Sequence, residues 1–278
     1  MQLSICVTTI NAVDDLSSCL QALWQSSVKP SYVVVADDSP ALEIQQQNRQ
    51  IVNQYPGTGY IIGPHRGVCA NRNCALENLP PSDFIAFIDD DICVAPDYIA
   101  NVLSRYRTLK LEARQQTFLT GGMPTKLSFR GFFCKSDRPE CVDLHTAVFP
   151  AAFFKVERWD EKIYFGYEDA LLCLQAIKQG YSILHCSELK VVDTRSGQST
   201  LKKDSFGEIT RYEIYIEAAR LYVGIKRYRS IYPNPFKLAS FLLIYFLHMN
   251  IYLLRKKAFS SWLEIIKYSH CQDLLFHL

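Results

Sequence analysis

Five apolar residues followed directly by three carboxylates, Phe84-Ile85-Ala86-Phe87-Ile88-Asp89-Asp90-Asp91, constrain this chain more than any other stretch. The apolar run is too short for a helix and suits a strand covered on both faces, as in a parallel sheet. Unpaired carboxylates would protonate or break such a strand if they stayed in the core. They therefore belong where the strand leaves the sheet, and open α/β sheets bind ligands just outside those carboxyl ends. Adjacent acids there repel unless a cation joins them, and oxygen-only ligands suit Mg²⁺ or Mn²⁺, usually shared with substrate phosphates. A solvated acidic turn before a helix opened by Pro96 and Asp97 is the other reading of the same residues.

The first ninety residues repeat the pattern. Strands are predicted at Leu3–Thr8, Tyr32–Ala36 and Tyr60–Ile62, alternating with helices at Asp14–Trp24 (capped by Asp14 or Asp15), Leu42–Gln54 and Val68–Leu79. This βαβαβ order predicts an α/β fold with a doubly wound, mostly parallel sheet and flanking helices. Further helices are predicted from Pro96 to about Leu111 and from Glu168 to a Gly180 cap, with strands at Ser182–Leu184 and Val191–Asp193. Between Phe118 and Phe154 only short strands or loops can be placed. No G-x-G-x-x-G joins a strand to a helix, which disfavours a dinucleotide oxidoreductase.

At 278 residues the chain suits one sizeable domain with an appendage. We divide it at residue 225: a catalytic domain over 1–225, with a nucleotide half (1–95) and an acceptor half (96–225), and a C-terminal appendage over 226–278. The net charge of +2 hides an asymmetry, since residues 201–278 hold 12 Lys/Arg against 6 Asp/Glu. The 10 cysteines show no C-x-x-C spacing and several lie in apolar runs, so they read as reduced and structural. With no signal peptide before the first strand, the expected location is cytoplasmic. The run Leu238–Leu254 carries no charge and is bracketed by Lys237 and Arg255-Lys256-Lys257. It is short for a span, and an interfacial helix ranks ahead of a packed and a spanning one. Trp262, Leu263, Ile265 and Ile266 begin a second amphipathic stretch.

Acids gather at several strand or helix ends: Asp37-Asp38, Asp89-Asp90-Asp91, Asp193 and the helix-opening pair Glu168-Asp169. Singly, each has an ordinary structural reading; together they describe a rim for metal, phosphate and hydroxyls. The segments VTTINAVDDLSSCL, VVVADDSP, RGVCANRNCAL, FIAFIDDDICVAPDYI and WDEKIYFGYEDALLCLQAIKQGY, in this order from Leu3 to about Ser199, resemble the family 2 glycosyltransferases of GT-A fold. The resemblance implies an inverting transfer from a nucleoside-diphosphate sugar. It implies that Thr8, Thr9, Asp37 and Asp38 hold base and ribose, and that Arg72 contacts the nucleotide or its phosphates. Asp89 and Asp91 match the ends of the D-x-D signature, with Asp90 between them. Asp91 would ligate Mn²⁺ or Mg²⁺, with Asp89 nearer the ribose.

Glu168-Asp169 matches the family's acidic motif, which makes Asp169 the expected base and Glu168 an acceptor-orienting partner. Leu171 and Gln175 replace a second acid and an Arg common in that helix. Asp193 stands in place of a usual His ligand, and Arg195, Lys202 or Lys203 can neutralise the diphosphate. The expected function is therefore a metal-dependent glycosyltransferase of cell-surface polysaccharide synthesis, with a saccharide or lipid-linked saccharide acceptor. Peripheral contact with the anionic inner face of the plasma membrane is expected, and no nucleic-acid partner. A sugar-nucleotide nucleotidyltransferase, or a non-catalytic membrane partner keeping the fold, are the alternatives; Thr8–Asp15 lacks the Gly and Lys that the first of these usually needs.

Overall fold

A computed structural model describes residues 1–195, 205–206 and 209–276. The N-terminal part runs β1 (Leu3–Thr9), α1 (Val13–Gln25), β2 (Tyr32–Asp37), α2 (Leu42–Val52), β3 (Thr58–Ile62), α3 (Val68–Glu77) and β4 (Phe84–Asp89). Then come β5 (Ile92–Val94), α4 (Tyr98–Thr108), α5 (Leu111–Gln115), β6 (Thr117–Thr120), β7 (Thr125–Leu127), β8 (Phe133–Lys135) and β9 (Val148–Pro150). The last part holds α6 (Glu168–Lys178), β10 (Ser182–His185), β11 (Val191–Asp193), α7 (Arg211–Lys226), α8 (Pro235–Arg255), α9 (Trp262–Tyr268) and α10 (Cys271–Phe276).

The main sheet has seven strands in the order β10-β6-β9-β4-β1-β2-β3. Its pairs are parallel except where β9 runs against β4 and β6. The chain winds outward from β1 to β2 and β3, then returns to lay β4 on the other side of β1. A crevice opens at such a reversal of strand order, outside the carboxyl ends. The register is what builds the site: Thr8 lies opposite Asp89, and Thr9 opposite Asp37.

Side chains alternate across these strands. One face of the sheet packs on α1 and α4 through Leu16, Leu20, Leu23, Ile99 and Val102. The other packs on α3 and α6, around Phe87, Phe149, Phe154 and Trp159. A third apolar cluster joins α7, α8 and α9 through Leu221, Tyr245, Met249 and Ile265. At α6 the chain turns sharply, with positive φ at both Gly166 (82°) and Tyr167 (61°). A Cβ at Gly166 would meet the Cδ1 end of the Ile216 side chain of α7 at 2.3 Å, so a larger residue would have to displace that side chain as well as bear the positive φ.

Two expectations change. Asp14 and Asp15 do not cap α1; the helix starts after Ala12 without a side-chain cap, and both acids lie in its first turn. The predicted helix from Pro96 to Leu111 begins at Tyr98 and breaks after Thr108, with the separate α5 following. The predicted strand Val191–Asp193 is present as β11 and pairs antiparallel with β5 in a two-stranded ribbon.

Candidate active site

Arg72 is the hub of the site. It lies on α3 with a side chain only 2% exposed, and its guanidinium reaches two carboxylates on different elements. Nη1 donates to Glu168 Oε1 at 2.8 Å, and Nη2 to Asp89 Oδ1 at 3.1 Å. Its charged plane lies over the Trp159 ring, 5.2 Å from the centroid. The neighbouring Asn73 grips the same loop, exchanging hydrogen bonds with the Trp159 backbone at 3.0 Å each way. Two adjacent residues of one short helix thus tie the end of β4 to the start of α6.

Arg72 is committed to Asp89 and Glu168 through its two Nη atoms, while its Nε is buried without a hydrogen-bond partner among the described residues. A buried guanidinium needs paired carboxylates, and two of them cover it.

Asp89 also accepts from Thr8 Oγ1 at 3.0 Å, and His145 Nε2 lies 3.5 Å from its Oδ2. Burial works against the charged form, yet the Arg72 charge holds the Asp89 carboxyl well below the usual range. The contact with Asp89 in turn raises His145 to about 9, against its own burial. His145 comes from a short 3-10 turn, Leu144–Thr146, just before β9. The sequence reading missed it, since it lies in the segment where only loops and short strands could be placed.

Asp37 is fully buried, and its carboxylate accepts from Ser39 N, Asn48 Nδ2 and Tyr60 OH, each at 2.8 Å. Those bonds fix the turn after β2. Asp38 lies nearer the crevice. Its Oδ1 accepts from His65 N at 2.9 Å, and burial raises its pKa. A Cβ at Gly63 would fall 2.2 Å from that oxygen, so glycine is needed where the β3–α3 loop meets it. Thr9 and Asp90 are buried side by side, and burial pushes Asp90 up to about 7.

Arg195 lies among the remaining acids, with Nε 2.8 Å from Asp15 Oδ2 and Nη atoms 3.6 Å from Asp90 and 3.9 Å from Asp91. Asp193 accepts from the Arg195 backbone N–H at 2.9 Å. Its pairing opposite Ile92 keeps it on the ribbon. The expected trio Asp89, Asp91 and Asp193 does not form a metal cage. Among the described residues no three His, Cys, Asp or Glu side chains are placed to hold an ion. Asp91 alone fits a cation shared with phosphate. Its side chain is 24% exposed, and burial and the charge of Asp89 both raise its pKa, the mark of an undercompensated acid. A hard ion that keeps water and phosphate oxygens needs only one or two such carboxylates. Lys202 and Lys203, expected near the phosphates, lie outside the described residues.

Asp169 opens α6 beside Glu168, and its Oδ1 accepts from Ala170 N at 2.7 Å. Burial first, and the adjacent Glu168 charge second, push its carboxyl up to about 7. Glu168 Oε2 is buried with no hydrogen-bond partner among the described residues. The rim therefore offers a divided chemistry: an ionised pair at Asp89 and Arg72, and across the Arg72 bridge a carboxyl poised to take a proton near neutral pH.

Residues 4–133 match the family model described as glycosyl transferase family 2. That stretch, just under half of the chain, is similar to family 2 glycosyltransferases. A curated relative, the succinoglycan biosynthesis protein ExoM of Rhizobium meliloti (strain 1021), is 41% identical over 49 residues, which span 18% of this chain and 16% of that protein. Solved structures carry the likeness further, over the fold. The chain superposes on the mannosyltransferase PcManGT of Pyrobaculum calidifontis, in complex with GDP-Man and Mn²⁺. That match has a TM-score of 0.61 at 13% identity and covers 100% of this chain and 76% of that one. S. aureus TarS 1-349 gives 0.56 at 16% identity, over 87% and 71% of the two chains. GalNAc-T7 with UDP, GalNAc and Mn²⁺ gives 0.58 at 11%, over 88% and 55%. The fold is GT-A.

Proposed function

We propose that this chain is a divalent-metal-dependent inverting glycosyltransferase. It moves a sugar from a nucleoside diphosphate to a hydroxyl of a saccharide or lipid-linked saccharide, in the synthesis of a surface polysaccharide. One observation carries the reading. The Asp89–Arg72–Glu168 bridge brings the strand-end acids and the proton-accepting Asp169 to one rim, in a chain whose residues 4–133 match the family 2 model. Its place is the cytoplasm, against the inner face of the membrane that bears the acceptor.

The residues divide the work. Asp38 and Thr8 shape the wall of the nucleotide crevice, and Asp89, held ionised, accepts from a ribose hydroxyl. Asp91 would hold Mn²⁺ or Mg²⁺, which when bound offsets the charge of the diphosphate leaving group. Arg195, released from Asp15, adds a second positive charge there. Glu168 Oε2, without a partner of its own, orients the acceptor hydroxyl. Asp169 takes its proton as the acceptor oxygen bonds to the anomeric carbon. The bond from that carbon to the diphosphate breaks on the opposite face, so a single displacement inverts the centre.

Screening nucleoside diphosphates for Mn²⁺-dependent thermal stabilisation tests the donor class; indifference to all of them overturns the reading. A variant sharpens it. Asp91→Ala will abolish metal-dependent nucleoside diphosphate binding while the fold persists, because a partly exposed strand-end acid adds little stability. Titration calorimetry with and without Mn²⁺ measures this, and an unchanged affinity removes Asp91 from the site.

A further inference from the structure

We infer that α8 is a lipid-docking surface that lies in the plane of an anionic bilayer. Helix α8 is long and apolar enough to cross a membrane by length and composition alone. Its two sides behave differently. Phe241, Tyr245, Met249 and Leu253, one every four residues, are buried in the cluster with α7. Phe236, Leu243, Leu247 and Leu254 are 84%, 71%, 60% and 63% exposed. Steps of seven and four residues return to nearly the same side of a helix with about 3.6 residues per turn, so these four form one continuous stripe, away from the packed one. Leu263, in the first turn of α9, is also exposed.

The packed side rules against a crossing. Tyr245 OH donates to the Glu217 carbonyl at 2.9 Å, and Tyr252 OH to Glu213 Oε1 at 2.7 Å. Arg220, paired with Glu217, lies 4.5 Å from the centre of the Tyr245 ring. Threading α8 through a bilayer would strip these contacts or draw the charged pair into hydrocarbon. Lying flat keeps all of them and buries only the exposed stripe.

Charge selects the occupant. From Ala218 to Leu263 the sequence holds eight Lys/Arg and no Asp/Glu. Lys237 stands at one end of the stripe and Arg255, Lys256 and Lys257 at the other, all exposed. Their alkyl stems extend the apolar surface while their heads reach lipid phosphates. A second copy docked face to face would set cation against cation. The surface is also fixed to the catalytic side, since Tyr215 of α7 stacks on Tyr164, ring centres 4.5 Å apart, in the loop that leads to Glu168.

The test is sedimentation of the full chain with vesicles of phosphatidylcholine, alone or with added phosphatidylglycerol. Binding will be at least about tenfold tighter with the anionic lipid and will weaken with salt. Leu243→Ser with Leu247→Ser will abolish it without lowering the melting temperature, as both side chains are exposed. Lys256→Glu with Lys257→Glu will remove the preference for anionic lipid. Equal binding to both vesicle types overturns the inference, as does binding that survives the Leu243/Leu247 variant. Resistance to alkaline extraction, showing a spanning helix, or self-association without lipid binding also overturns it.

Discussion

Asp169→Asn will keep donor affinity and lower transfer by about a hundredfold or more, because the amide matches the carboxylate in shape but cannot take a proton. The pH profile gives the second signature. Asp169 is pushed up to about 7, chiefly by burial and then by Glu168. A base must be deprotonated to act, so transfer will fall as pH drops below about 7 and level off above it. That acid limb will be missing from the residual activity of the Asn variant. Steady-state rates between pH 5.5 and 8.5, with donor affinity measured separately, decide the matter. If donor affinity falls in step with turnover, Asp169 is a donor ligand and the assigned role is wrong.

The acids at the strand ends were legible in the sequence because the continuous apolar runs end so abruptly. A buried parallel strand cannot absorb Asp37-Asp38 or Asp89-Asp90-Asp91, so their level in the fold follows from solvation alone. What each acid does there was not legible. Asp37 and Asp89 end the two strands that flank β1 in one sheet, yet one is sealed by Ser39, Asn48 and Tyr60 and the other faces Arg72 and His145. Those partners come from elsewhere in the chain, and only the folded register brings them together. Arg72 hid for a different reason. Cys69, Ala70, Asn71, Arg72, Asn73 and Ala75 are all buried on α3, so polar and apolar residues are covered alike and no periodicity marks the inward face. The strand ending at Asp193 was legible, but not its place, because three residues cannot show whether a strand joins the main sheet or a side ribbon. The packed side of α8 was equally hidden, since apolar residues cover most of its circumference.

Arg72→Met will have the largest effect on stability, about 3–5 kcal/mol, although it removes no apolar contact area. The loss comes from what stays behind. Glu168 and Asp89 would face each other across a site built for a cation, with Glu168 almost wholly shielded from water. Arg72→Lys will cost less, since it keeps the charge, but a single ammonium cannot hold both carboxylates in the fork geometry of a guanidinium. The double variant Arg72→Met with Glu168→Gln separates charge from packing. Taking away one orphaned carboxylate should make the double variant less destabilised than the sum of the two single changes, a coupling well outside the error of additivity for contacting residues. Urea unfolding of the four proteins closes this cycle. Strict additivity would mean that Arg72 merely fills space beside Trp159. The Asp89–Arg72–Glu168 bridge would then not be what joins the end of β4 to the start of α6.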